Sequence, residues 1–220
     1  MVNCAIDTVC SARQPASGSY RCQFRVPAAA AGRSLGSGAV DRIAIMGCGG
    51  SGKSHLARCI GSRLGITPVH LDARYYDQDW TPLDQEAFAA LQHGLVAVPR
   101  WIIDGNYAST LPIRLQAADT VIFLDLPGWA CLLGILQRQV RHGGGQHQAN
   151  GEYNRITWGF ARYIIGYRKT MAPRVRSLIA EHADGARVVI LRSRRAASRY
   201  LATVPATSPA GTAASHEESR

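Results

Sequence analysis

From Asp41 to about residue 200, short apolar runs alternate with longer segments in which apolar residues recur at helical spacing. The runs at 42–46, 67–71, 101–104, 120–124 and 187–191 are each a few residues long and mostly apolar, as strands buried on both faces are. The segments at 53–64, 83–96, 129–141, 152–172 and 174–182 carry apolar residues three and four apart and read as helices, the last two separated at Pro173. Regular alternation of strand and helix predicts an α/β fold, a mostly parallel five-stranded sheet with helices on both faces. Ligands of such folds gather outside the carboxyl ends of the strands, so the residues that close each strand are the ones to inspect for chemistry.

The flanks lack this periodicity. Residues 1–38 are rich in Ala, Ser, Gly and Arg, and are expected to form a disordered leader. An organelle transit peptide or an upstream start-site artefact fits the same composition. Residues 205–220 are expected to be a disordered tail, which leaves one domain over 41–202. The longest apolar run, 129–136, falls well short of the roughly 20 residues of a membrane span and continues into Gln137 and Arg138. A soluble protein without a membrane partner is expected.

Composition adds two points. The six cysteines are Cys4, Cys10, Cys22, Cys48, Cys59 and Cys131, and none forms a C-x-x-C pair, so no zinc site is expected. Cys48, Cys59 and Cys131 fall in or beside core elements and read as small buried fillers, which implies free thiols and a cytoplasmic location. The net charge of +10 is uneven, with arginines crowded into the second half. That crowding fits either a nucleic-acid surface or a phosphate clamp beside solvated helix faces. Tyr153, Trp158, Phe160, Tyr163 and Tyr167 fall at helical spacing, as packing residues do, so nucleic acid is the less favoured partner. The histidines show no metal-ligand spacing.

Between the first strand and the first helix lies Gly47-Cys48-Gly49-Gly50-Ser51-Gly52-Lys53-Ser54, a complete Walker A loop. Gly47 lets the chain leave the strand sharply. Gly49, Gly50 and Gly52 lack a Cβ, so backbone N–H groups can close around a phosphate. Lys53 places a positive charge on the outer phosphates, and the Ser54 hydroxyl suits an Mg²⁺ ion. Ser51 and His55, within and just after the loop, complete the expected nucleotide-binding set. The helix that starts at Lys53 turns its positive dipole end toward the same anion.

Three carboxylates close strands: Asp72, Asp104 and Asp125. In a P-loop protein one such residue holds Mg²⁺ through water and another can orient or deprotonate an attacking hydroxyl. Each could instead cap the next helix.

The Walker loop, His70-Leu71-Asp72, Trp101-Ile102-Ile103-Asp104-Gly105-Asn106-Tyr107 and the block from Ala118 to Pro127 follow one another in an order that resembles the P-loop proteins called DNA topology modulation proteins. These are in turn similar to adenylate kinase and shikimate kinase. The resemblance covers about residues 41–200 and implies a nucleotide-kinase-like three-layer sandwich with a helical, glycine-rich lid. It implies ATP and Mg²⁺ as cofactors, Asp104 as the ligand of a metal-bound water, and Asp72 as the base that meets the acceptor hydroxyl. It implies a lid at about 141–155 that brings Arg138 and Arg141, one helical turn apart, to the transferring phosphates, with Arg155 and Arg162 on the returning helix. Arg192-Ser193 stands where such kinases contact adenine. Asn106-Tyr107-Ala108 replaces the Phe-Pro-Arg of adenylate kinases, so a nucleoside monophosphate is not the expected acceptor. Arg114 is a candidate substitute that nothing in the sequence places. The expected activity is transfer of the γ-phosphate to a small-molecule hydroxyl. The alternative is a nucleotide-dependent regulatory ATPase that binds DNA through its basic half.

Overall fold

The computed structural model describes residues 40–75, 82–142 and 158–206. The leader, the tail and most of the expected lid fall outside the described residues. In chain order the elements are β1 (Arg42–Gly47), α1 (Lys53–Leu64), β2 (Pro68–His70), a single 3₁₀ turn (Leu71–Ala73), α2 (Gln85–Val96), β3 (Trp101–Asp104), α3 (Leu111–Ala117), β4 (Thr120–Leu124), α4 (Gly128–His142), α5 (Trp158–His182), β5 (Arg187–Leu191) and α6 (Arg194–Thr203). The five strands form one sheet in the order β2-β3-β1-β4-β5, and every pair is parallel. Helices α1 and α6 pack together on one face, while α2, α3, α5 and α4 contact one another in that sequence on the other. The expected α/β sandwich is therefore present.

Burial follows position in the sheet. β3 and β4 are buried throughout, and β1 is buried from Ile43 onward. The edge strands differ: β2 is half-buried, and β5 leaves Val188 and Ile190 exposed. An apolar run thus marks a strand here without marking burial on both faces.

Three elements depart from the sequence pattern. The helix expected to break at Pro173 runs unbroken from Trp158 to His182. Ala172, Val175 and Ile179 are buried on its inner face, so packing on both sides of the proline holds the helix together despite the missing hydrogen bond. Helix α3 was not anticipated, being only seven residues long with a proline near its start. Nor was α6, whose start is fixed by the Ser193 hydroxyl accepting from the Ala196 N–H at 3.1 Å.

The cysteines divide. Cys48 and Cys131 are free and buried, as expected. Cys59, equally buried, is disulfide-bonded, against the expectation of a free thiol. A buried position suits either state, and spacing along the chain does not report which thiols meet in space. Among the described residues, no helix is long and apolar enough to cross a membrane, and no cluster of His, Cys, Asp and Glu could hold a metal by itself.

Candidate functional site

The Walker loop joins the central strand to α1. Its turn is closed by the Ser51 N–H on the Cys48 carbonyl at 3.1 Å. Gly52, at φ 95°, is the N-cap of α1, and neither a side-chain cap nor a first-turn acid accompanies it. The first turn, which holds Lys53, Ser54 and His55, thus has neither a capping side chain nor an acidic residue of its own, and its N–H groups are left for an anion. His55 turns its ring toward Cys59, with Nε2 at 3.7 Å from Sγ, so its contribution to the loop is its backbone. Ser51 is buried.

Beside the loop, β3 delivers Asp104, which is paired in register with Ile45 of β1 and is 3% exposed. Its Oδ1 lies 2.7 Å from Nδ1 of His70, while Oδ2 is buried and has no hydrogen-bond partner. Burial alone would raise the pKa of this carboxyl. The hydrogen bond and charge of His70, the Lys53 ammonium and the Ser54 hydroxyl outweigh it, and the net direction is down. Lys53, Ser54 and Asp104 thus meet at one place. A buried, unpartnered carboxylate oxygen beside a serine hydroxyl is a donor set that fits Mg²⁺.

The other two strand-end acids separate. Asp72 is exposed in the 3₁₀ turn after β2, two residues past His70. Asp125 is 1% exposed and is held by Arg176 at 2.5 Å and Arg168 at 3.7 Å, which ties the end of β4 to α5. None of the three occupies an assigned N-cap; those are Gly52, His70, Asp84, Thr110 and Ser193.

Helix α4 lies against the loop so closely that a side chain would not fit. A Cβ at Gly50, whose φ is 76°, would sit 2.2 Å from the Cys131 carbonyl oxygen. A Cβ at Gly134 would sit 2.2 Å from the Gly50 carbonyl oxygen. Arg138 follows Gly134 by one turn and falls on the same face of α4. Arg141 lies in the last turn of the same helix, and its side chain is outside what is described. Arg192 is exposed directly after β5, separated from β1 by β4. Phe160 of α5 approaches Gly49, whose Cβ would stand 3.1 Å from the ring.

Three contributors were missed or misread from sequence, and a fourth, Arg114, was named there without being placed. His70, noted from sequence only for lacking metal-ligand spacing, orients Asp104. Asn106 closes the loop from below: its Oδ1 accepts from the Gly47 N–H at 3.1 Å, and its Nδ2 donates to the Tyr167 hydroxyl at 3.0 Å. Tyr167, 2% exposed on α5, has its phenol pKa pushed up, chiefly by burial, and stays neutral. Arg114 is fully buried behind Gly105. A signal existed for His70 and Asn106, which stand inside the blocks flanking Asp72 and Asp104. None existed for Tyr167 or Arg114, whose partners come from distant elements.

No protein-family model matches this chain, and no curated protein matches it. Among solved structures, the chain is similar to a shikimate kinase from Acinetobacter baumannii in complex with shikimate, at 14% identity and a TM-score of 0.49, over 75% of this chain and 90% of that one. It is also similar to a sugar kinase from Janibacter sp. HTCC2649, at 17% identity and a TM-score of 0.41, over 76% of this chain and 95% of that one. A gluconokinase from Sinorhizobium meliloti 1021 gives 14% identity and a TM-score of 0.36, over 74% of this chain and 92% of that one.

Proposed function

We propose that this protein is an ATP- and Mg²⁺-dependent kinase that phosphorylates a hydroxyl of a small molecule. The observation that carries the reading is the convergence of Lys53 and Ser54 on the buried carboxylate of Asp104. ATP supplies the phosphoryl group, and Mg²⁺ offsets the charge on its outer oxygens. The loop N–H groups and Lys53 bind the phosphates. Ser54, with Asp104 acting through water, holds the cation. Asp72, exposed at the end of β2, positions the acceptor hydroxyl and takes its proton. Arg138 and Arg141 close from α4, where their guanidinium groups offer paired donors to phosphate oxygens and help exclude water. Arg192 lies at the base-binding end. The proposal includes kinship with the DNA topology modulation proteins, on the strength of the ordered motif blocks, while the disulfide at Cys59 removes the free-thiol ground for a cytoplasmic location.

ATP turnover by the purified protein, alone and with a pooled small-molecule extract, tests this. Slow hydrolysis that rises sharply with the extract supports the kinase, and fractionation then identifies the acceptor. Tight nucleotide binding without stimulation by any fraction overturns it in favour of a regulator contacting DNA. That regulator has the weaker support, because Arg168 and Arg176 of the basic half are already engaged by Asp125. A gel shift at two salt concentrations would reveal its steep counterion dependence.

A further inference from the structure

The exposed apolar side chains of α4 are not scattered. Trp129, Leu133, Leu136 and Val140 are all exposed, Trp129 by 67%. Their spacing of four, three and four residues sets them in one row along the helix. Cys131 and Ile135, both buried, lie on the opposite face, against the Walker loop. A second row runs along the first turns of α5. Trp158, Arg162, Ile165 and Lys169 repeat the same spacing and are all exposed, Trp158 by 82%, opposite the buried Ile164 and Tyr167. The two helices pack side by side. A Cβ at Gly128, the residue before Trp129, would sit 3.0 Å from the Cα of Ile165, so the two rows are neighbours. Neither helix holds an acidic residue before Glu181, whereas arginine and lysine recur along both. Among the described residues no ion pair engages Arg162 or Lys169. Isolated apolar residues on a surface need no explanation, but contiguous rows of them mark a site of contact.

We propose that the outer face of α4 and α5 docks on the surface of an anionic lipid bilayer. Trp129, Leu133, Leu136, Val140 and Ile165 enter the headgroup region, and Arg162 and Lys169 meet the lipid phosphates. This departs from the expectation, drawn from sequence, that no membrane is involved. No helix among the described residues is long and apolar enough to cross a membrane, so the contact is peripheral. Charge complementarity decides the occupant. A second copy of the chain seated here would set Arg162 and Lys169 against a face with no carboxylate to answer them. An anionic bilayer answers both, and each basic residue close to it raises affinity about fivefold. The net charge of +10 draws the chain toward such a surface before contact. Shape points the same way, because the rows are crests of helices. A bilayer takes up a crest, whereas a docked peptide helix requires a groove. Tryptophan, with an apolar ring and one N–H, suits the boundary between water and acyl chains. The Walker loop lies on the other side of α4 and stays open to nucleotide, so the proposal does not depend on the kinase reading.

The test sediments the full chain with vesicles of phosphatidylcholine, alone or mixed with phosphatidylglycerol. The chain should pellet with the mixed vesicles and stay in solution with the neutral ones. Binding should weaken as salt is added, and tryptophan emission should shift to the blue on binding. Replacing both Leu133→Ser and Leu136→Ser should lower the affinity roughly 10- to 100-fold. Lys169→Glu should lower it about tenfold. Val98→Ser, at an exposed apolar residue on a different element, should leave it unchanged. All these side chains are exposed, so each variant should melt as the wild type does. Failure to bind the mixed vesicles, or equal binding to neutral ones, overturns the proposal. Binding that survives the paired leucine replacements undiminished is adsorption by net charge, and overturns it as well. A dimer in sedimentation velocity that the paired replacements dissolve, without vesicle binding, assigns the face to a second copy instead.

Discussion

Asp104 keeps its charge in a place where burial opposes it, because His70, Lys53 and Ser54 all favour the ionised form. Its folded pKa lies below the ordinary 3.8, so its contribution to stability is fully present above that pH. As pH falls through the lower folded value the contribution is lost. Acid unfolding of the wild-type chain below pH 3.8 should therefore be steeper than that of Asp104→Asn, as followed by circular dichroism. The same variant should keep metal-free nucleotide binding and lose the gain that Mg²⁺ provides, which calorimetry with and without the cation would show. In the proposed site Lys53 donates to the outer phosphates, so Lys53→Ala should weaken ATP about 10- to 100-fold in a fluorescent-nucleotide titration. An unchanged affinity would remove Lys53 from the site. The Walker residues were legible from sequence because their work is local: eight consecutive positions form both the turn and the helix start. Arg114 was not, because its surroundings are assembled from α2, the end of β3 and α3, which only the fold brings together.

Between elements, two contacts join the loop to the helices around it. Asn106 links Gly47 of the loop to Tyr167 of α5. Truncation to Ala would leave a backbone N–H and a buried phenol unpartnered, and should cost about 1–3 kcal/mol in urea denaturation. Tyr167→Phe, which leaves the Asn106–Gly47 bond intact, should cost less. The second contact is the approach of α4 to Gly50. Gly134→Ala would place a methyl against that carbonyl, so the helix or the loop must shift. Nucleotide affinity should fall by more than thermal stability does, since the loop is the softer partner. An affinity equal to wild type would show that the loop shape does not depend on α4. The strands were legible at this scale to within two residues, because a short apolar run admits few readings. The helices were less so: α3 is too short to show a period, α6 is rich in Ala and Arg, and α5 crosses a proline that local rules treat as a break.

Across the whole molecule, the strand order places the first strand in the middle of the sheet, with partners that come much later in the chain. β1 is completed by β3 and β4, and Asp119 accepts from the Asp41 and Arg42 N–H groups across 78 and 77 positions. Pairing of this range slows folding, and pulse-labelled hydrogen exchange should show the amides of β1, β3 and β4 gaining protection in one phase. Earlier protection of β1 alone would contradict this. The order also has a consequence for synthesis. At about 5–20 residues per second, β1 waits on the order of several seconds before its first partner, β3, is completed at Asp104. Throughout that interval Ile43, Ile45 and Met46, all but inaccessible in the finished protein, have no strand to lie against. A growing chain in this state is a client for whatever shields apolar segments at the ribosome. The Walker loop, among the first parts of the domain to be synthesised, is among the last to acquire its shape.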